Sequence, residues 1–324
     1  MIKEIVTKIQ GNFNKNTSTI DPGFGTRQFS GNIRSINKDG SVNIRRKGKK
    51  GIDAAGFYQK LLVMSWTKFL FLFLSAYFLV NVLFAIVYYF IGMENFFGTE
   101  PGNFISEFED AFFFSAQTLT TVGYGHISPA TFSASAVGAI ESMIGLMGFA
   151  MATGLLYGRF SRPKAQLVFS HNIIVAPYRG IRGLMLRVAN QNQSELIEAE
   201  AQVTMAINDS ETGKRLFYTL PLETTKINFL ALSWTIVHPF DEKSPLIGLT
   251  LEDLEKRNIE IMIILKAFDD TFSQQVYSRT SYKAEDFIFG AKFVPLVPDY
   301  SSGKHIHIDL RQVGETEPAD LPPV

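Results

Sequence analysis

The sequence contains no cysteine, and it has no lysine or arginine between Lys68 and Arg159. The lack of cysteine excludes disulfides, thiolate nucleophiles and cysteine-ligated metal sites. The formal net charge of the 324 residues is zero, so the overall balance indicates no nucleic acid or other charged partner. Basic residues instead crowd the N-terminal segment, including 45–50, and resume at Arg159.

Two long apolar runs lie in the region without basic residues. Residues 69–91 carry no charge, and residues 130–158 carry one, at Glu141. Each run exceeds the about 20 residues that cross a bilayer core, although a buried helix of a large soluble protein would also fit. Positive residues at the outer ends of both runs predict a multi-pass cell-membrane protein with both termini in the cytoplasm.

Between the two runs lies the segment Thr118-Leu119-Thr120-Thr121-Val122-Gly123-Tyr124-Gly125. A dehydrated K⁺ needs successive oxygens on one axis, and consecutive backbone carbonyls supply them if the handedness of the backbone alternates. Glycine takes the positive φ that this alternation requires. The segment therefore predicts a K⁺ selectivity filter, with a glycine-containing turn between core elements as the alternative. We predict coordination by Thr121, Val122, Gly123, Tyr124 and Gly125, with K⁺ itself held at the first four.

Helical patterns flank this segment. Residues 53–66, with Asp53 as N-cap, predict an amphipathic slide helix in the cytoplasmic interface, or else an extension of the first spanning helix. Ser106 and Glu109 fit a capping box for a short helix that ends near Thr118. Such a helix would dip into the membrane and end at the filter, unless it is an exposed helix of the external loop.

The remaining segments have other compositions. Residues 1–52 are read as an N-terminal cytoplasmic segment, whose first 32 residues form a mobile or loosely attached arm, and residues 67–160 as a transmembrane pore domain. Short apolar segments separated by turns predict an antiparallel β-sandwich over residues 161–313, with a short helix at 251–257. Three prolines in 314–324 predict a disordered tail.

The inner spanning segment carries two further features. Glu141 is ionisable within the membrane, so we expect it to face water or a partner, near a cavity or behind the filter, with a purely structural role as the alternative. Gly145 is one of several glycines there; it would permit either close helix packing or a bend that serves as a hinge.

Several segments in one order resemble the inward rectifier potassium channels, most nearly their prokaryotic branch. The resemblance covers residues 33–297 and rests on the filter and the following segments: Asn37-Lys38-Asp39-Gly40, Ser65-Trp66, Arg159 to Lys164, Phe169-Ser170-His171-Asn172, Leu186 to Asn190, Asp241 to Leu246, and Arg279-Thr280-Ser281-Tyr282. It implies a homotetramer with two spanning helices and a re-entrant pore helix per subunit, and an all-β, immunoglobulin-like cytoplasmic domain. It implies a potassium channel and not an enzyme.

The resemblance also implies roles for particular residues. Phe149 and Tyr157 would form rings that close the pore, and Asp270 would line its cytoplasmic part. Arg162 and Lys164 would meet anionic lipid head groups, so lipid is the expected modulator, with no cofactor and no small-molecule substrate besides K⁺. The alternatives are basic residues that only set topology, an ordinary lipid- or helix-facing aromatic at 149, and a solvated loop carboxylate at 270.

The chain departs from the animal members of that family in three places. Phe149 stands where they have the acidic residue that holds blocking polyamines, Gln117 and Ile127 replace the charged residues that flank their filter, and the external cysteine pair is absent. Strong polyamine-dependent rectification is therefore not expected. Two alternative functions stay open: a channel gated by a soluble ligand-binding domain, and a membrane-anchored receptor whose β domain binds a partner.

Overall fold

The computed structural model describes most of the chain, in nine stretches: residues 21–25, 33–45, 48, 54–161, 166–192, 194–209, 214–242, 244–296 and 308–323. The chain divides into two compact units. A helical unit comprises residues 48–162, and a β unit comprises residues 1–47 together with 163–324. The N-terminal segment predicted for residues 1–52 is thus grouped with the β unit as far as residue 47.

The helical unit is built from four helices and one short strand pair within its described residues. They are α1 (Ala54–Val63), α2 (Trp66–Ile91), a 3₁₀ turn (Met93–Asn95), β1 (Phe96–Phe97), α3 (Phe104–Leu119), β2 (Ser128–Pro129) and α4 (Phe132–Phe160). Strands β1 and β2 pair antiparallel and so join the segments before and after α3. Helices α2 and α4 are long and apolar enough to cross a membrane.

Helix α1 is separate from α2 because the chain leaves helical geometry at Met64 and Ser65. Arg159, in the last turn of α4, donates hydrogen bonds to the carbonyl oxygens of Leu61 and Met64, the latter at 2.6 Å. These carbonyls end α1 and lack helical partners, so the guanidinium satisfies them. The predicted N-cap, Asp53, lies outside the described residues.

Helix α3 begins two residues earlier than the predicted cap. Asn103 is the N-cap, and its side-chain oxygen accepts from the backbone N–H of Ser106 at 3.0 Å. The prediction of Ser106 as N-cap with Glu109 as its partner was therefore wrong. Asparagine caps helices as well as serine does, and starting at Phe104 brings the ring of that residue into the helix, where it stacks on Phe108.

The core of the helical unit lies where α2, α3 and α4 meet. The ring of Tyr88 packs edge-on against Phe114, with ring centroids 4.9 Å apart, and against Phe96 at 5.5 Å. Small residues let the helices approach at this point, namely Ala85, Ala111 and Ala134, all fully buried. Aromatic packing therefore holds α3 against α2, and Ala134 brings α4 close to the same point.

The β unit contains two five-stranded sheets and a separate strand pair. The strands are β3 (Leu167–Phe169), β4 (Ile173–Tyr178), β5 (Ile181–Asn190), β6 (Leu196–Asp209), β7 (Lys214–Leu220), β8 (Lys226–Phe229), β9 (Ser233–Pro239), β10 (Glu260–Asp269), β11 (Gln274–Lys283), β12 (Phe287–Phe289), β13 (Ala291–Phe293) and β14 (Thr316–Pro318). One sheet has the order β11-β10-β6-β7, with β8 on β6, and the other β12-β4-β5-β3, with β9 on β5. Helix α5 (Leu251–Lys256) lies where a helix was predicted.

The core of the β unit is formed by apolar residues that both sheets contribute, such as Leu186 and Val188 of β5 and Ile261 and Ile263 of β10. This is the predicted sandwich, with one difference. Strand β12 pairs with β4 in parallel, whereas an entirely antiparallel sandwich was expected. A segment of three residues is too short for periodicity to reveal its pairing.

Residues 33–45 form a docked segment on the β unit, closed by a bridge between Ile36 and Val42. Its Arg34 and Lys38 pair with Asp286 at 2.8 and 3.0 Å. Burial raises the pKa of Asp286, but hydrogen bonds from Arg34, the Lys283 N–H and Lys38 outweigh it and hold that pKa below its ordinary value. The docked segment is therefore fixed by charge at neutral pH.

The C-terminal residues 314–324, predicted to be a disordered tail, are ordered as far as 323. Strand β14 pairs antiparallel with β13, and the N–H of Ala319 donates to the Gly290 carbonyl at 2.8 Å. Proline lacks an N–H, yet an edge strand does not need every one. Pro318 ends β14, which is such a strand, and this is why the prolines did not prevent pairing.

Candidate functional site

The predicted filter follows directly from the end of α3. Of residues 121–125, the first, third and fifth have positive φ: Thr121 at 59°, Gly123 at 53° and Gly125 at 79°. The alternation expected at the glycines thus extends to Thr121. Positive φ is rare for a β-branched residue, so the surrounding structure must hold Thr121 there, and such strain concentrates at functional sites.

The filter segment is anchored to the last turn of α3 through one carbonyl. The Gln117 oxygen accepts from the N–H groups of Val122 at 2.9 Å and Gly123 at 3.3 Å. By contrast, the side chains of Val122 and Tyr124 are 53% and 79% exposed within the single chain. The backbone is thus positioned by α3, while these two side chains have little cover from their own chain.

Gly145 of α4 lies against the end of α3. A Cβ at this position would collide with the Leu119 carbonyl group, whose carbon would be 2.9 Å away. Close approach therefore accounts for this glycine, and the hinge remains a prediction. The contact brings the middle of α4 close to the end of α3, where the filter segment starts.

Glu141, one turn before Gly145, is fully buried. Its Oε2 accepts a hydrogen bond from the Tyr88 hydroxyl, and its Oε1 accepts one from Ser115 Oγ at 2.5 Å. The expected partner is therefore protein, on the side of α3 where α2 and α4 meet. Sequence reasoning did not find Tyr88 or Ser115 as partners of Glu141. The signal that could have indicated them is the presence of polar side chains at helical spacing within apolar runs.

The predicted gate residues both lie on α4. Phe149 is 73% exposed and Tyr157 is 74% exposed in the single chain. Eight residues at about 100° each leave the two side chains about 80° apart around the helix, and hence on one side of it. Their geometry permits a common role in lining a space outside this chain.

The remaining predicted site residues fall elsewhere. Asp270 is exposed in the turn between β10 and β11 of the β unit, where its N–H donates to the Glu195 carbonyl at 3.2 Å. Arg162 and Lys164 lie outside the described residues. None of the residue groups searched in the described part of the chain could hold a metal ion through histidine, cysteine or carboxylate ligands.

Comparison with known proteins finds a family match in each of the two units. Residues 167–324 match the inward rectifier potassium channel C-terminal domain, and residues 63–162 match the ion channel family. Inward rectifier potassium channel Kirbac3.1 of Paramagnetospirillum magnetotacticum is 35% identical over 290 residues, which cover 87% of this chain and 95% of that protein.

Two vertebrate proteins are also similar. ATP-sensitive inward rectifier potassium channel 12 of Gallus gallus is 28% identical over 292 residues, covering 82% of this chain and 67% of that protein. Inward rectifier potassium channel 4 of Mesocricetus auratus is 30% identical over 227 residues, covering 65% of this chain and 50% of that protein. The predicted resemblance is confirmed: this membrane protein belongs to the inward rectifier potassium channel family.

Proposed function

We propose that the chain forms a K⁺-selective pore of the inward rectifier type, with residues 121–125 as its filter. The observation that carries the proposal is the alternating sign of φ at Thr121, Gly123 and Gly125. Alternation turns successive carbonyl oxygens toward one axis, where they replace the hydration shell of K⁺. Membership of a family whose relatives are named potassium channels supports the same reading.

A pore on an axis requires more than one copy, and we infer a homotetramer. One chain supplies one wall of a carbonyl ring, and the known filter architecture has four. The exposure of Val122 and Tyr124 in the single chain supports this, because large side chains beside a filter need cover that only neighbouring copies would provide. The tetramer would thus complete the packing that α3 begins.

The proposed topology places both termini in the cytoplasm, with α2 and α4 spanning the membrane and α3 re-entrant between them. The segment between the spanning helices would then face outward. It carries five acidic residues, which would concentrate cations at the entrance: Glu94, Glu100, Glu107, Glu109 and Asp110. The β unit would lie inside, with Asp270 lining the cytoplasmic part of the pore.

Gating is proposed at the inner helices. Rings of Phe149 and Tyr157, both exposed on α4, would close the path by excluding water from an apolar constriction. Bending at Gly145 would move them. Anionic lipid would modulate this gate through Arg162 and Lys164, since each basic residue beside an anionic leaflet gains roughly 1 kcal/mol.

Rubidium uptake into liposomes that contain the purified protein tests the proposal. The wild-type protein should take up Rb⁺ in preference to Na⁺ and should be blocked by Ba²⁺. Tyr124→Asp should lower the preference for Rb⁺ over Na⁺, while Tyr277→Asp, a change at an exposed tyrosine of β11, should not. Absence of flux would favour a membrane-anchored receptor, and unchanged selectivity in Tyr124→Asp would exclude the filter assignment.

A further inference from the structure

We propose that Glu141 is a positioning residue for the filter, acting through Ser115 on the last turns of α3. The carboxylate would hold the pore helix in the register that selects K⁺, and its loss would relax selectivity before it closed the path. This inference rests on the proposed conduction of K⁺, and it names a residue that supports the filter without touching the ion.

The geometry joins three helices at one side chain. Glu141 of α4 is fully buried; one carboxylate oxygen accepts from Tyr88 of α2 and the other from Ser115 of α3. Ser115 Oγ also lies 3.1 Å from Oδ1 of Asn81, whose Nδ2 donates to the Tyr77 carbonyl at 2.8 Å. The pore helix is thus bound on one side to both candidate spanning helices.

The same turns of α3 hold the filter. Ser115 is two residues before Gln117, whose carbonyl accepts from Val122 and Gly123. One turn after Glu141, Gly145 packs against the Leu119 carbonyl. Helix α4 therefore contacts α3 at Ser115 and again at Leu119, on either side of the carbonyl that anchors the filter. A displacement of α3 here moves Gln117, and with it the filter backbone.

A carboxylate is a costly choice at this place. Glu141 is the single charged residue of the apolar segment 130–158, and acidic residues within a membrane are rare and commonly functional. An apolar residue would fill the volume but would leave the buried hydroxyls of Tyr88 and Ser115 without this acceptor. The need for two directed acceptors, one for each neighbouring helix, explains the choice.

The side chains that flank the filter carry no charge with which to form a comparable contact. Gln117, before it, and Ile127, after it, are uncharged. Backbone strain at Thr121 must be held by its surroundings. Glu141 contacts α3 at Ser115, six residues before Thr121. This contact is therefore close enough along the chain to help hold the backbone of Thr121.

The test uses the full-length protein in liposomes, with uptake of Rb⁺ and Na⁺ measured separately. Glu141→Gln should lower the Rb⁺/Na⁺ uptake ratio about fivefold, because the loss of one net hydrogen bond changes an equilibrium constant by about that factor. Tyr88→Phe should lower it in the same direction, and the double variant should be no worse than Glu141→Gln, because both changes break one network. Ser142→Ala, a change at the neighbouring α4 residue, should leave the ratio unaltered.

A second measurement requires folded protein but no flux. The rise in Tm when Na⁺ is replaced by K⁺ should be smaller in Tyr88→Phe and Glu141→Gln than in wild type or Ser142→Ala. Wild-type uptake ratios and wild-type K⁺-dependent Tm shifts in both variants would show a merely structural carboxylate and overturn the inference. A wild-type protein without Ba²⁺-sensitive uptake would overturn the proposed function, and this inference with it.

Discussion

Glu260, at the start of β10, is the acceptor for four donors in the interior of the β unit. Its carboxylate accepts from the Ser35 N–H at 2.7 Å, the Ser35 hydroxyl at 2.8 Å, the Ile36 N–H at 3.3 Å and Arg215 Nη2 at 2.7 Å. Both members of the pair with Arg215 are fully buried. One side chain thus neutralises a buried cation and fixes the docked segment.

Glu260→Gln should destabilise the protein by about 3–5 kcal/mol, because it removes the charge that compensates buried Arg215. It should also loosen residues 33–45, since an amide has one oxygen to share among these donors. Thermal unfolding and limited proteolysis measure the two effects. The exposed pair of Glu252 with Lys256 provides the control: Glu252→Gln should leave stability close to that of the wild type, and equal effects would contradict the prediction.

His238 of β9 is neutral because burial disfavours its charged form, and its two ring hydrogen bonds fix the tautomer. Nδ1 lies 2.6 Å from the Pro221 carbonyl, which can only accept, so Nε2 accepts from the Ser244 hydroxyl at 2.8 Å. Burial lowers the pKa of His238, opposed by the Pro221 hydrogen bond and by the charge of Asp241. Protonation therefore favours the unfolded chain.

Acidification should accordingly destabilise the β unit. A histidine with a lowered folded pKa contributes its full stability above the unfolded value of about 6.5. That contribution is lost at up to about 1.4 kcal/mol per pH unit as the pH falls from there through the folded pKa. Tm measured between pH 7.5 and 5.5 should fall less in His238→Asn than in a control at exposed His171, His171→Asn. Parallel curves would count against this role.

At the scale of the element, helix α4 has one face buried in the helical unit and another face exposed. Ala134, Gly138, Glu141 and Ala152 are buried against the helical unit, while Phe149 is exposed. The buried positions follow one another at intervals of four, three and eleven residues, the spacing of a helix that presents one face to its own chain. The exposed face is where the proposed pore and the neighbouring copies must be sought.

The variant Gly145→Ala distinguishes the two explanations for this glycine, close helix packing and a hinge. An added Cβ meets the Leu119 carbonyl, so Tm and flux should both fall, whereas Gly148→Ala, where no heavy atom of the described chain lies within 4 Å, should leave Tm close to wild type. Alanine suits a helix, so a pure hinge role would leave Tm unchanged and alter only the flux. That second outcome would refute the packing explanation.

Phe149→Ala should raise basal Rb⁺ uptake if four Phe149 side chains form an apolar constriction. The matched change is Met151→Ala, an exposed apolar residue two positions further on and about 200° around the helix. Uptake into liposomes of one lipid composition compares the two variants. Equal uptake by Phe149→Ala and wild type would remove Phe149 from the gate.

The elements that the sequence predicted best were those with long, regular patterns. The spanning helices and the long strands β5, β6 and β10 followed from apolar length and alternation. Strand β4 was not among the predicted segments, and its Pro177 argues against a strand. The C-terminal pairing of β14 could not be predicted because a three-residue edge strand leaves no periodic signal.

At the scale of the whole molecule, sequence patterns could not predict contacts between residues that are far apart in the sequence. The filter could be predicted because its chemistry is local, in five consecutive residues. The pairs of Arg34 and Lys38 with Asp286 and the bond of Tyr88 to Glu141 join separate segments, so no local rule indicates them. Charged or polar residues in the right segments were visible, but their partners became apparent only in the fold.

The molecule's response to lipid is a prediction at this scale. Arg162→Gln should shift the dependence of uptake on the fraction of anionic lipid, because it removes a charge beside the inner leaflet in the proposed topology. Lys256→Gln, in α5 of the β unit, removes a charge of the same sign as a control. A titration with anionic lipid compares the variants, and a curve identical to wild type would exclude Arg162 from lipid sensing.

The docked segment also constrains how the polypeptide matures. Ser281 Oγ donates to the Ile36 carbonyl across 245 positions of sequence. At ribosomal speeds of about 5–20 residues per second, the first partner waits about 12–50 s for the second to be made. Both apolar helices emerge in that interval, so the β unit can be completed only after the membrane-directed part of the chain has left the ribosome.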